Sequence, residues 1–335
     1  MTLHGLELDE AVRRMGSIEQ AARIDSFIEA DGPARGARRL RMITGGGLEI
    51  DIHPDRALDL GQVTIDGLPV AWMSAAGIVA PAFYDSRGAG WLRTFGGGFL
   101  TTCGLDTFGA PSIDEGVEYG QHGRISAVPA HITTTSCEDG VLVVEGYMRQ
   151  SAHLGENLLL RRRIEARIGS SEFTIHDTVT NDGSEEAVHM MMYHANMGWP
   201  LVDEGATLSV PSTSIEPRDA FSAEGIADWG TFEAPAPGRL DRVFLHAFDE
   251  GGPVSIELAN PTLGLALTLE YDRDQLPWLC EWKMMREDGY VVGIEPVNTP
   301  TMIGRADARA RNVLRVLAPG ERVDYDLTFR LRRTT

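Results

Sequence analysis

Short runs in which apolar and polar positions alternate dominate the chain from about residue 39 onward, and Gly, Asp, Asn and Pro punctuate them. The pattern predicts strands over 39–43, 48–52, 60–65, 130–135, 141–148, 158–168, 172–180 and 187–194. Further strands are expected over 243–248, 254–258, 265–271, 278–282, 290–295, 312–317 and 325–331. Helical spacing is confined to the N-terminal end: residues 8–15 are closed by Gly16, and a capping-box pattern from Ser17 to Gln20 restarts a short second helix. So many strands with so few helices predict an antiparallel, mainly β sandwich, because a parallel sheet needs a crossover helix after each strand. One domain is expected over 1–335, with a helical segment over 1–30 and the β structure over 31–335. Two turns stand out, Glu138-Asp139-Gly140 and Asn181-Asp182-Gly183, and the second is read as a hairpin into 187–194.

Period-two alternation in the run Ala187 to Pro200 puts Met190, Met192, His194 and Asn196 on one face, with His189, Met191 and Tyr193 on the other. In Trp278-Leu279-Cys280-Glu281-Trp282-Lys283, Glu281 and Lys283 share a face opposite Trp278, Cys280 and Trp282.

Composition narrows the classes of function. The 335 residues carry 49 Asp+Glu against 30 Lys+Arg, a formal net charge of −19, so a nucleic acid or an anionic membrane would meet a repulsive field. Neither is expected as a partner. With 43% hydrophobic residues, the chain has material for a large core. The three cysteines, Cys103, Cys137 and Cys280, show neither disulfide nor zinc-ligand spacing, and no apolar leader or spanning run is visible; a cytoplasmic location without metal or cofactor is expected. Lys283 is the only lysine beside 29 arginines, which suggests a position that requires a compact ammonium.

Candidate chemistry sits in three places. His122 lies in the glycine-flanked run Gly120-Gln121-His122-Gly123, His194 near a strand end, and Glu295 where the apolar run Val291 to Ile294 stops at Pro296. On local sequence alone either histidine reads equally well as a turn or core residue. Glu295 is harder to dismiss, since a carboxylate at the end of an apolar strand is rarely buried without a partner. No GxSxG, HExxH or phosphate-loop spacing is present.

Taken together, Gln121-His122-Gly123-Arg124, Tyr193-His194-Ala195-Asn196-Met197-Gly198-Trp199-Pro200 and Val292-Gly293-Ile294-Glu295-Pro296 resemble the aldose 1-epimerase (galactose mutarotase-like) superfamily. The segments Pro54 to Asp59, Trp91 to Phe99 and Glu281-Trp282-Lys283 resemble a bacterial branch of it. The resemblance implies a β-supersandwich holding a monosaccharide or sugar derivative on a concave face. It implies Glu295 as general base and His194 as general acid in opening the hemiacetal, with His122 as a second sugar-facing histidine. Asp241 in Asp241-Arg242-Val243-Phe244 would correspond to a sugar-binding aspartate, and Arg93 and Arg56 compete as the binding arginine. Asn196, Trp282 and Lys283 complete the expected substrate contacts, and a homodimer is left open. Three functions are carried forward: an aldose 1-epimerase, an isomerase or lyase of an anionic or keto-sugar for which Lys283 would supply charge, and a sugar-binding protein without turnover.

Overall fold

The computed structural model describes residues 2–249 and 251–334, so the Met1 and Thr335 ends of the expected unit lie outside it. Two large antiparallel sheets form the sandwich. One has eight strands in the order His131–Glu138, Val141–Ser151, Asn157–Arg167, Glu172–Asn181, Arg322–Arg333, Leu265–Asp272, Pro253–Asn260 and Thr207–Ser209. The other has eleven and runs Ser214–Pro217, Arg242–Ala247, Trp278–Arg286, Gly289–Val297, Met190–Gly198, Leu100–Leu105, Asp59–Ile65, Leu48–His53, Arg38–Ile43 and Arg23–Ile28, with Leu68–Pro69 added to Asp59–Ile65. Among the described residues no helix is long and apolar enough to cross a membrane.

Expected strands and observed ones coincide closely, with instructive exceptions. The helical part of the N-terminal segment ends at Gln20, and Arg23–Ile28 is an edge strand paired with Arg38–Ile43. Ser17 caps the short turn Ile18–Gln20 through the Glu19 N–H. Residues 312–317 contribute only Val316–Leu317, because the helix Arg305–Ala310 and its C-terminal turn occupy the approach. The turn at Asp139-Gly140 is a true hairpin with both residues at positive φ, 52° and 77°, as a type I′ turn requires. The Asn181-Asp182-Gly183 turn is not: Glu172–Asn181 pairs with Asn157–Arg167 and Arg322–Arg333, and after the turn the chain crosses to the other sheet. Its Asn181 amide ties down the crossing segment by donating to the carbonyls of Glu185 and Leu317.

The strand Met190–Gly198 is buried along its whole length. Met191, Tyr193, Ala195 and Met197 enter the core between the sheets, whereas Met190 and Met192 join a second apolar cluster with Trp91, Phe95 and Cys280 on the outer face. The predicted alternation therefore separates a structural face from a pocket face.

Two buried cations hold this region. Arg162, with no exposed surface, sends Nε and Nη2 to the two oxygens of Asp177 (2.9 and 2.7 Å) within its own sheet, and Nη1 across the core to Thr102, Asp59 and the carbonyl of Ala57. Asp177 also accepts the hydroxyl hydrogen of Tyr193 at 2.7 Å. Burial raises the Asp59 carboxyl to about 6 despite the opposing pull of Arg162. Lys283 lies on the far side of the sheet from the pocket, 3% exposed, where its ammonium donates to the carbonyls of Asp228 and Thr231 and pairs with Glu233. The expectation that it meets substrate is thus corrected: alternation along Trp278–Arg286 sends Lys283 with Glu281 to the inner side, and its donors are already used.

Removing one partner from the Arg162 group leaves a buried charge unpaired, a loss typically of about 3–5 kcal/mol. Arg162→Met is expected to destabilise the protein by that amount in urea unfolding, and adding Asp177→Asn to recover part of it; a loss under about 1 kcal/mol would show that the pair is not what ties the sheets together.

Candidate active site

Adjacent strands bring the principal residues together. Ala195 pairs with Ile294, so His194 and Glu295, one position on from that pair, stand side by side on the pocket face. His194 Nε2 lies 3.2 Å from Glu295 Oε1, without the alignment of a hydrogen bond. Oε1 and the Nδ1 of His194 are both buried without a hydrogen-bond partner. Gly293 makes the geometry possible: a Cβ there would stand 2.2 Å from Glu295 Oε1, so the carboxylate folds back into space that any other residue would fill.

His122 arrives from a loop, at φ 57°, and its ring centroid is 5.4 Å from that of His194. The Gly109 N–H donates to His122 Nδ1 at 3.4 Å, which leaves Nε2 as the hydrogen-bearing nitrogen of the neutral ring. Aromatic rings enclose the group. Trp91 stacks on Phe95 at 4.2 Å and packs on His122 at 4.5 Å, while Phe95 and Trp282 lie 5.2 and 5.5 Å from His194.

Burial in this apolar setting disfavours every charged form. It drives the Glu295 carboxyl well above the usual carboxylate range, assisted by the negative charge of Glu281 and Asp241. The same desolvation lowers His194 to about 4 and pushes His122 down well below its ordinary value, the second histidine adding to the effect on His122. Both shifts run toward the uncharged couple, a protonated Glu295 facing a neutral His194.

These residues line a cavity of about 760 Å³ together with Trp72, Asp241, Arg218 and Met284. Asp241 accepts from Arg218 Nη1 at 3.0 Å, and Arg218 Nε is bound to Asp219 at 2.9 Å. Of the residues expected from sequence, His122, His194, Glu295, Asp241 and Trp282 reach the cavity; four others do not. Arg56 is buried behind it and donates to the carbonyls of Val79 and Thr94, because the core beside Pro54 leaves its guanidinium only backbone oxygens. Arg93 points to solvent and pairs with Asp85, its side chain 79% exposed at the end of a short turn. Asn196 is buried below His194 and donates to the carbonyls of His194 and Gly98, which fixes the strand rather than a ligand. Lys283 is the fourth. Trp72 and Arg218 also line the cavity without a local signal in the sequence: Trp72 sits in a stretch without strand periodicity, and Arg218 follows Pro217 in a loop.

Known proteins with solved structures share this architecture. A candidate aldose 1-epimerase from Klebsiella pneumoniae is 26% identical and superposes with a TM-score of 0.86 over 93% of this chain and 83% of its own. A galactose mutarotase-like protein from Clostridium acetobutylicum (15% identity, TM-score 0.70, 94% of this chain, 100% of that one) shares the fold. So does a galactose 1-epimerase from Lactobacillus acidophilus (12% identity, TM-score 0.62, again 94% and 100%). No curated protein matches the sequence. Residues 34–331 match the family model described as a domain of unknown function, DUF4432. The chain belongs to the DUF4432 family and is built on the galactose mutarotase-like fold.

Proposed function

We propose that the protein is an aldose 1-epimerase that interconverts the anomers of a sugar by general acid and base catalysis, with Glu295 and His194 as the proton-transferring pair. The observation that carries this reading is their contact at 3.2 Å on the floor of an aromatic-lined cavity. Hemiacetal opening takes one proton from the anomeric hydroxyl and delivers one to the ring oxygen. Starting from the uncharged couple, Glu295 passes its proton to His194 Nε2. The carboxylate then takes the O1 proton while the imidazolium protonates O5, the C1–O5 bond breaks, and the couple is uncharged again. Rotation about C1–C2 and the reverse sequence close the other anomer. His122 Nε2–H donates to a sugar oxygen, and the Trp and Phe rings receive the C–H faces of the ring.

A binding protein without turnover has no use for the acid and base in contact. An anionic sugar is disfavoured as well: the cation lining the cavity among the described residues, Arg218, is already shared between Asp219 and Asp241.

Each positioned acid or base contributes roughly 10²–10⁴-fold. Glu295→Gln is expected to lower anomer exchange, measured by saturation-transfer NMR on a panel of aldoses, by that factor while sugar binding persists; unchanged exchange would remove Glu295 from the chemistry. Gly293→Ala, which drives a methyl group into the space of the Glu295 carboxylate, is expected to cost about tenfold or more in kcat with unfolding little changed. If the variant exchanges anomers at the normal rate, the folded-back carboxylate is not the working conformation. The pH profile of kcat/KM should be flat near neutrality. Below about pH 4 it falls, because His194 gains a proton while Glu295 keeps its own and no base remains. It falls again at high pH, where Glu295 loses the couple's mobile proton. A profile that falls on protonation of a group near pH 6 to 7 would contradict this protonation state.

A further inference from the structure

The cavity is larger than one sugar ring requires. A hexose occupies roughly 200 Å³, the volume of six or seven water molecules, against about 760 Å³ here. The surplus is not uniform. On one side lie Asp241 and Arg218; on the other, next to His122, the wall is mainly apolar, with Leu92, Ala110, Pro111, Met302 and Ile303 beside the Gln121 amide. Two loops build this wall by close approach of their backbones. A Cβ on Gly109 would stand 3.0 Å from Gly304 N, and one on Gly304 would stand 2.5 Å from the carbonyl oxygen of Ala110. Leu92 follows Trp91, which packs on His122, so the apolar wall is continuous with the catalytic floor. Its outer members are left in water: Leu92 is 53% and Ile303 52% exposed, large aliphatic side chains at the mouth of a cavity.

A second sugar ring would bring several hydroxyl groups to a wall where, among these lining side chains, only the Gln121 amide offers them a partner. From the surplus volume, the apolar wall and its contact with His122 we infer that the substrate is a sugar carrying an apolar group, aryl or alkyl, which this wall receives. The group is attached at a carbon other than the anomeric one, since ring opening needs the anomeric hydroxyl free. The inference rests on the ring-opening reading for that point of attachment, and the subsite can be tested apart from it.

The probes are the 4-O- and 6-O-benzyl ethers of glucose and galactose, with the matching methyl ethers as controls, titrated calorimetrically into the full chain and assayed for anomer exchange by saturation-transfer NMR. At least one benzyl ether is expected to bind about tenfold or more tightly than its methyl counterpart, a ratio that burial of only about 60 Å² of apolar surface supplies. Leu92→Asn/Ile303→Asn, a change of two exposed side chains, should reduce that ratio to about threefold or less. Equal binding of benzyl and methyl ethers, or a preference that survives in the variant, overturns the subsite. A benzyl preference with no exchange on any of the sugars upholds the subsite and defeats the ring-opening reading instead. A concentration-dependent dimer in sedimentation that releases no benzyl preference even when dissociated assigns the mouth to a second copy of the chain and also overturns the proposal.

Discussion

The guanidinium of Arg162 ties the two sheets together directly behind the strand that carries His194. Within its own sheet it is held by Asp177; across the core it reaches Thr102 and Asp59, on the two strands beyond Met190–Gly198. Tyr193 closes the circuit from the His194 strand itself by donating to Asp177. Such a group adds little net stability compared with a well-packed apolar core, but its geometric demands are strict. A strand that slipped by one residue would lift Tyr193 out of the core and turn His194 into it. The polar cluster on the hidden face therefore settles which side chains the open face presents.

On the open face the governing constraint is the opposite one, the scarcity of polar partners. Trp91, Phe95, Trp282 and Met192 surround two histidines and a carboxyl group, and the cost of charge in that setting shifts all three groups toward their neutral forms. In the proton transfers proposed for this couple, neutrality means that neither partner has to be recharged from solvent between turnovers. At the cavity wall Arg218 is shared between Asp219 and Asp241, and the Asp241 charge adds to the upward shift of the Glu295 carboxyl.

Much of this was legible in the chain, for an identifiable reason. Where a strand is long and its faces differ, alternation assigns each side chain correctly, as in Met190–Gly198 and Trp278–Arg286. Juxtaposition of His194 with Glu295 depends on strand order, which alternation does not report, and there the resemblance of three short segments to a known superfamily supplied what periodicity lacked. Elsewhere a local signal has two structural meanings. Asn181-Asp182-Gly183 has the chemistry of a hairpin yet ends one sheet, since a turn dictates a reversal and not the partner that follows. Arg56 and Arg93 differ only in whether backbone carbonyls or solvent meet the guanidinium, and nothing in their neighbours along the chain encodes that.

Lys283 carries a consequence beyond the fold. Its ammonium is buried and spends its hydrogens on two carbonyls and the Glu233 carboxylate, anchoring the segment between Arg218 and Asp241. Because every other strong cation of the chain is an arginine, the surface presents no lysine amine. An aldehyde condenses with free amines to form Schiff bases, and open-chain aldoses are aldehydes. A protein that repeatedly releases such molecules into its own surroundings would, with this composition, have no lysine side chain within their reach to glycate.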